Sequence, residues 1–276
     1  MKKRRLIRKI ACILILILGL AAWFSYENNA LTTTAYTIRS EKLPQALSGF
    51  KIVQISDLHN KTFGERQETL IQRIQGENPN LIALTGDLVD AHRFDPEPAL
   101  ELARRMVEIA PVYFITGNHE NRLDSGLRSD LIRDLRAIGV QVLDNQAVSI
   151  QHNGARFDLI GLDDSHLTDR TLQALCLDLD PNTFRVLLAH EPQYLDLYAG
   201  YADLALTGHA HGGQIRLPGL GGLFAPGQGF FPQYTSGVHT QGAFSMVVSR
   251  GLGNSLFPFR IFNRPEVVCI TLESGK

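Results

Sequence analysis

Five short apolar runs in this 276-residue chain end in side chains that bind metal ions. Residues 51–56 run into Asp57, Leu58 and His59. Residues 81–85 run into Gly86 and Asp87, and residues 112–116 into Gly117, Asn118, His119 and Glu120. Residues 185–189 lead to His190, and residues 203–207 to Gly208, His209, Ala210 and His211. Carboxylate oxygens and imidazole nitrogens suit hard-to-borderline divalent cations. The set contains no cysteine, which fits hydrolytic metals better than a thiolate-rich structural zinc site. Asp57 and His59 are two apart, as are His209 and His211, so at a strand end both members of a pair can turn toward one ion. Each fragment is weak alone, since Asp-x-His is usually a turn or a cap and Gly-Asp is commonplace. All of them in this order, each at a strand end, point to a metal centre.

The elements that must position these residues follow from the same runs. Each has the length and apolar continuity of a buried strand. Between them lie helical stripes: Leu70, Ile71 and Ile74; Leu100, Ala103, Met106 and Val107; Leu127, Leu131, Leu135 and Ile138. Strand–helix alternation predicts a largely parallel sheet with its ligands at the carboxyl ends of the strands. Five strands are thus expected to deliver polar residues to one sheet edge. Residues 208–229 hold eight glycines, which predicts a long loop or a set of turns, and strand-like runs follow at residues 244–249 and 267–272. One domain over residues 43–276 accounts for the pattern.

The motif order is similar to that of the calcineurin-like metallophosphoesterases, over nearly all of residues 50–276. The segment Gly208-His209-Ala210-His211-Gly212-Gly213-Gln214 resembles most closely the bacterial membrane-anchored YkuE/YaeI-like branch. The resemblance implies a four-layer α/β/β/α sandwich and two divalent cations, with manganese, iron and zinc all open. It implies one ion on Asp57, His59, Asp87 and His211, and the other on Asp87, Asn118, His190 and His209, with Asp87 as the bridge. Such a pair can share a hydroxide that attacks phosphorus in line. His119 would then be the general acid or electrostatic stabiliser at the leaving oxygen, against a reading in which it orients Asp57. The chain departs from the phosphoprotein phosphatases, which resemble Gly-Asp-x-x-Asp-Arg-Gly. Here Asp90 is followed by Ala91 and His92. Without that arginine, diesters or diphosphates are favoured over protein phosphomonoesters.

Other residues read more plainly. Glu120 is expected to support or cap its neighbours, and Asp163 and Asp164 to lie in a turn, with an approach to the site as the alternative. His92, His152, His166 and His239 are read as surface or loop histidines. Cys12, Cys176 and Cys269 lack paired metal spacing and read as small apolar residues. Aromatics in and beyond the glycine-rich loop (Phe224, Phe230, Phe231, Tyr234, Phe257 and Phe259) read either as packing or as contacts to an apolar substrate or bilayer.

The N-terminus adds a location. Six of the 27 basic residues fall within residues 1–9, which leaves 21 against 28 acidic ones in the body. That mildly acidic body does not favour nucleic acid as a partner. The basic cluster precedes an uncharged run over residues 10–24, so residues 1–27 read as a signal anchor, or alternatively a cleaved signal peptide, with residues 28–42 as a short tether or the entry into the first strand. Either reading sends the body out of the cytoplasm. The expected activity is therefore a dinuclear phosphodiesterase or diphosphatase acting on a membrane- or envelope-linked phosphoester. Hydrolysis of a soluble diester, of cyclic-nucleotide or nuclease type, is the first alternative, and a non-catalytic scaffold the second.

Overall fold

The computed structural model describes residues 2–254 and 257–275. It opens with a 28-residue helix, α1 (Lys2–Asn29). The strands follow in chain order as β1 (Thr32–Ser40), β2 (Lys51–Ile55), β3 (Leu81–Thr85), β4 (Val112–Ile115), β5 (Gln141–Val142), β6 (Gln146–His152), β7 (Ala155–Gly161), β8 (Arg185–Leu188) and β9 (Leu204–Thr207). Four two-residue strands, β10 (Arg216–Leu217), β11 (Gly221–Gly222), β12 (Phe224–Ala225) and β13 (Gly229–Phe230), form two small hairpins in the glycine-rich stretch. The last strands are β14 (Gly237–Gln241), β15 (Phe244–Val248) and β16 (Glu266–Ser274). The remaining α-helices are α2 (Glu68–Gly76), α3 (Glu97–Met106), α4 (Asn118–Asn121), α5 (Ser125–Ile138), α6 (Asp169–Cys176) and α7 (Leu195–Tyr198).

Two six-stranded sheets result, in the orders β1-β16-β2-β3-β4-β5 and β14-β15-β9-β8-β7-β6. Period-two alternation explains the layering. Val53 and Ile55 of β2 turn outward to Leu70, Ile74, Ala103 and Leu135 on α2, α3 and α5. Ile52 turns inward and meets Leu159, Val186, Leu204 and Val247 of the other sheet. On the far side, Leu187, Ala205 and Met246 pack against Leu172 of α6 and Leu195 and Tyr198 of α7. This is the α/β/β/α sandwich.

Two expectations need correction. The five ligand-bearing strands do not share one sheet: β2, β3 and β4 lie in the first and β8 and β9 in the second. Both faces of every such strand are buried, so a run of apolar residues carries no mark of its sheet. Residues 28–42 are not an open tether either. Within them β1 pairs in parallel with β16 along its whole length, Thr32 against Glu266 through Ser40 against Ser274. Its mixed threonine pattern belongs to an edge strand with one face in solvent.

The sheets are pinned together beneath their carboxyl ends. Gln54 on β2, fully buried, donates to Thr85 Oγ1 at 3.0 Å and to the Thr207 carbonyl of the other sheet at 2.8 Å. The end of α1 is pinned as well. The Asn28 Oδ1 accepts the Arg260 N–H at 2.8 Å, and Trp23 and Phe24 set their rings edge-on to Phe262 and Phe259.

Candidate metal centre

All five runs end at one place, in the crevice between the sheets. The turns that follow them are tight. Asp57, His59, Asp87, His209 and His211 all take positive φ, between 47° and 64°. Residues without glycine's freedom seldom adopt that region, and strain of this kind concentrates where a site needs particular side-chain directions. The motif glycines serve close approach. A Cβ on Gly86 would stand 2.6 Å from His190 Nδ1 and 2.7 Å from Gly117, and one on Gly208 would collide with Ser56 and Asp57.

Two groups of donor atoms form. In the first, Asp57, His59, Asp87 and His211 bring their ligand atoms within 4.8 Å of one another; in the second, Asp87, His190 and His209 do. His59 Nε2 and His211 Nε2 are 3.2 Å apart, and His211 Nε2 is 3.6 Å from Asp57 Oδ1. His209 Nδ1 lies 3.1 Å from His190 Nε2, which lies 3.2 Å from Asn118 Oδ1. Ligands bound to one ion at about 2.0–2.2 Å stand roughly 3.0–3.5 Å apart at tetrahedral or octahedral angles. The spacings therefore fit cations bound between these atoms. Asp87 Oδ2 belongs to both groups, 3.6 Å from His59 Nε2 and 3.2 Å from His190 Nε2.

Surrounding groups fix these directions. His190 Nδ1 donates to the Thr85 carbonyl at 2.7 Å, which leaves Nε2 facing the centre. Asp57 accepts the His209 N–H on both oxygens, at 3.0 and 3.1 Å. Glu120 is buried and accepts the N–H groups of Gly117 and Asp87 at 2.8 Å and of Val89 at 3.2 Å, so it ties two motif loops together. His119 Nδ1 accepts the Ala91 N–H at 3.0 Å, and its ring stands edge-on to His59 with centroids 4.5 Å apart.

The electrostatics suit cations. Burial drives His59 down to about 4 and His209 to about 3, and holds His211 well below the usual range, so these rings carry free lone pairs at neutral pH. Burial also raises Asp57 to about 6. His190 runs the other way: burial opposes its cation, but Asp87 and Asp57 outweigh it and hold the ring well above the usual range. A field that draws a proton so strongly draws a metal cation too.

The family model for calcineurin-like phosphoesterases matches residues 50–213. This chain belongs to that family. It is 33% identical to the metallophosphoesterase YkuE of Bacillus subtilis (strain 168), over 90% of this chain and 87% of that one. It is 30% identical to the phosphodiesterase YaeI of Escherichia coli (strain K12), over 81% and 82% of the two chains. A transmembrane protein with a metallophosphoesterase domain from Danio rerio is 28% identical, over 85% of this chain and 56% of that protein. The phosphoesterase is thus a metal-dependent phosphoric ester hydrolase with Asp and His residues placed to bind metal.

His92 lies exposed in a turn, as a surface or loop histidine should, with its ring 6.0 Å from that of His119, and it lines a cleft with His59, Lys61, Asp90 and Arg93. Arg260 carried no signal in the sequence. It is fully buried and donates to the carbonyls of Gly253, Arg250 and Asn263 and to Asn254 Oδ1. The loop it organises clasps Asp57, since the Gly253 N–H donates to the Asp57 carbonyl at 2.6 Å. His152, His166 and His239 lie apart from the centre, against Phe50, Asp163 and Tyr234.

Proposed function

We propose that Asp57, His59, Asp87 and His211 hold one divalent cation, that Asp87, Asn118, His190 and His209 hold a second, and that the enzyme hydrolyses phosphodiesters or diphosphates attached to a membrane. The observation that carries the dinuclear reading is the shared position of Asp87 Oδ2. Two cations bound there would generate a water-derived nucleophile near neutral pH and neutralise charge on the phosphoryl oxygens. Manganese, iron and zinc all suit the oxygen and nitrogen donors.

The protein's own groups supply the rest. His119 is the donor to the leaving oxygen. Because its Nδ1 accepts the Ala91 N–H, the neutral ring carries its proton on Nε2. The diester preference rests on the missing arginine after Asp90 and accords with the similarity to the phosphodiesterase YaeI. The membrane reading rests on α1, whose residues 3–29 are long and apolar enough to span a bilayer. Lys3, Arg4, Arg5, Arg8 and Lys9 would hold its start in the cytoplasm, with the catalytic body outside.

The test is a reconstitution of the full chain with manganese, iron or zinc, assayed on monoesters, diesters, diphosphates and lipid-linked versions of each. Two equivalents of metal and preferred turnover of lipid-linked diesters or diphosphates are expected. One equivalent at saturation would remove the dinuclear reading. Faster turnover of cyclic nucleotides than of any lipid phosphate would move the enzyme to soluble substrates.

A further inference from the structure

His59 and His211 face each other across the first donor group, yet each is the wall of a different cavity. His211 lines a cavity of about 350 Å³ whose other walls include Ile215, Leu223, Phe224, Phe230 and Phe257. His59 lines a cleft of about 510 Å³ with Lys61, Asp90, His92 and Arg93. One space is walled by hydrocarbon and the other by charge, and the two Nε2 atoms between them are 3.2 Å apart. A phosphorus atom held at the centre would have one ester arm facing each.

We infer that the substrate is an amphiphilic phosphodiester lying across the centre, with its hydrocarbon arm in the cavity beside His211 and its polar arm in the cleft beside His59. This deepens the hydrolase reading above and rests on it. Three features favour a hydrocarbon arm over simple loop packing. The hairpin aromatics do not close over the cavity: Phe230 is 72% exposed and Phe231 63% exposed. A cavity of several hundred Å³ lined by aliphatic and aromatic groups beside one polar anchor is a usual form for small-molecule sites. The cavity also adjoins the apolar helix: Phe257 stacks edge-on with Phe259 at 5.0 Å, and Phe259 with Phe24 of α1 at 6.0 Å. A lipid leaving a bilayer along α1 would meet that aromatic rim first. Lys61 marks the same junction on the polar side, because its ammonium donates to the Asn28 carbonyl of α1.

The test uses full-length protein in lipid nanodiscs and a series of alkyl 4-nitrophenyl phosphates from methyl to octyl. Each turnover adds one water to phosphorus and breaks the P–O(aryl) bond. Nitrophenolate leaves with the electron pair, a proton passes to solvent, and the alkyl phosphate remains. Rates per chain length should climb in kcat/KM by up to about fourfold per methylene, the factor set by burying one CH₂. Leu223→Trp should flatten that slope, each protein being referred to its own methyl-ester rate. In parallel, a dodecyl phosphate with a diazirine at the chain end should crosslink to residues 213–230 and Phe257. Hydrolysis of the methyl ester with no chain-length slope overturns the inference and leaves the hydrolase reading intact. Hydrolysis of no ester removes the hydrolase reading, and the crosslink map then decides the cavity, since labels confined to α1 or scattered over the surface overturn it.

Discussion

Asp87 Oδ1 accepts the backbone N–H of His119 at 2.8 Å. That bond occupies one carboxylate oxygen and turns the other toward His59 and His190. The position of Asp87 between the two donor groups is thus built from the Gly-Asn-His-Glu turn, one strand later in sequence. Asp87→Asn keeps the shape but removes the one negative charge shared by the two donor groups. Metal content measured by plasma mass spectrometry should fall for both ions together, and hydrolysis of an aryl phosphodiester should fall at least about 100-fold, since even outer-shell losses at metal sites cost 10–100-fold. Loss of a single equivalent with the other retained would argue against the bridge.

His119 makes a separate prediction because it belongs to neither donor group. His119→Gln should leave metal content unchanged. On a diester with an alkyl leaving group kcat should fall about 10²–10⁴-fold, the usual range for proton donation. On a nitrophenyl ester, whose leaving oxygen needs little help, the loss should be small. Equal losses on both substrates would assign His119 to positioning instead.

How much of this was readable beforehand differs by residue. The convergence of Asp57, His59, Asp87, Asn118, His190, His209 and His211 on one place was legible because each closes an apolar run, and strand ends in an α/β layer must gather at a crevice. The division of those strands between two sheets was not legible. A strand such as β3, buried on both faces, has no periodicity to say which neighbour it chooses. The edge strand β1 was only half legible for the opposite reason, its one exposed face suiting a polar linker as well as a strand. Arg260 and Lys61 were out of reach. Both meet Asn28 at the end of α1, Arg260 from 232 residues away and Lys61 from 33, and neither carries a local motif.

Asp163 supplies a pH dependence away from the metal ligands. Burial would raise its carboxyl, but hydrogen bonds from the Ser165 N–H, Thr116, Asn121 and the Ser165 hydroxyl hold it well below the usual range, with Arg128 at 2.9 Å. A depressed folded value means stability that is present above the unfolded carboxylate pKa of about 4 and lost as the pH falls below it. Asp163→Asn should therefore cost roughly 2–3 kcal/mol at pH 7, the scale of hydrogen bonds to a charged group. At pH 3, about one unit below the unfolded value, the penalty should be smaller by about 1 kcal/mol. Denaturant unfolding at the two pH values checks it, and an equal penalty at both would show that the charge is not what matters.

The junction between α1 and the body rests on Arg260. Its guanidinium makes hydrogen bonds of 2.8 Å to the Arg250 carbonyl, 2.6 Å to the Gly253 carbonyl and 3.0 Å to Asn254 Oδ1, all without solvent. Its backbone N–H reaches Asn28. Arg260→Met fills similar volume but strands those carbonyls, so it should lower stability by at least about 3 kcal/mol. That corresponds to roughly 5–10 °C in Tm for a domain of this size. Asn28→Ala removes only the helix side of the junction, and its cost should be nearer 1 kcal/mol. The two variants separate the functions of this loop. If the clasp on Asp57 depends on Arg260, Arg260→Met should also weaken metal retention against a chelator, while Asn28→Ala should not. Unchanged chelator resistance in Arg260→Met would show that the Gly253 N–H holds Asp57 without the arginine beneath it.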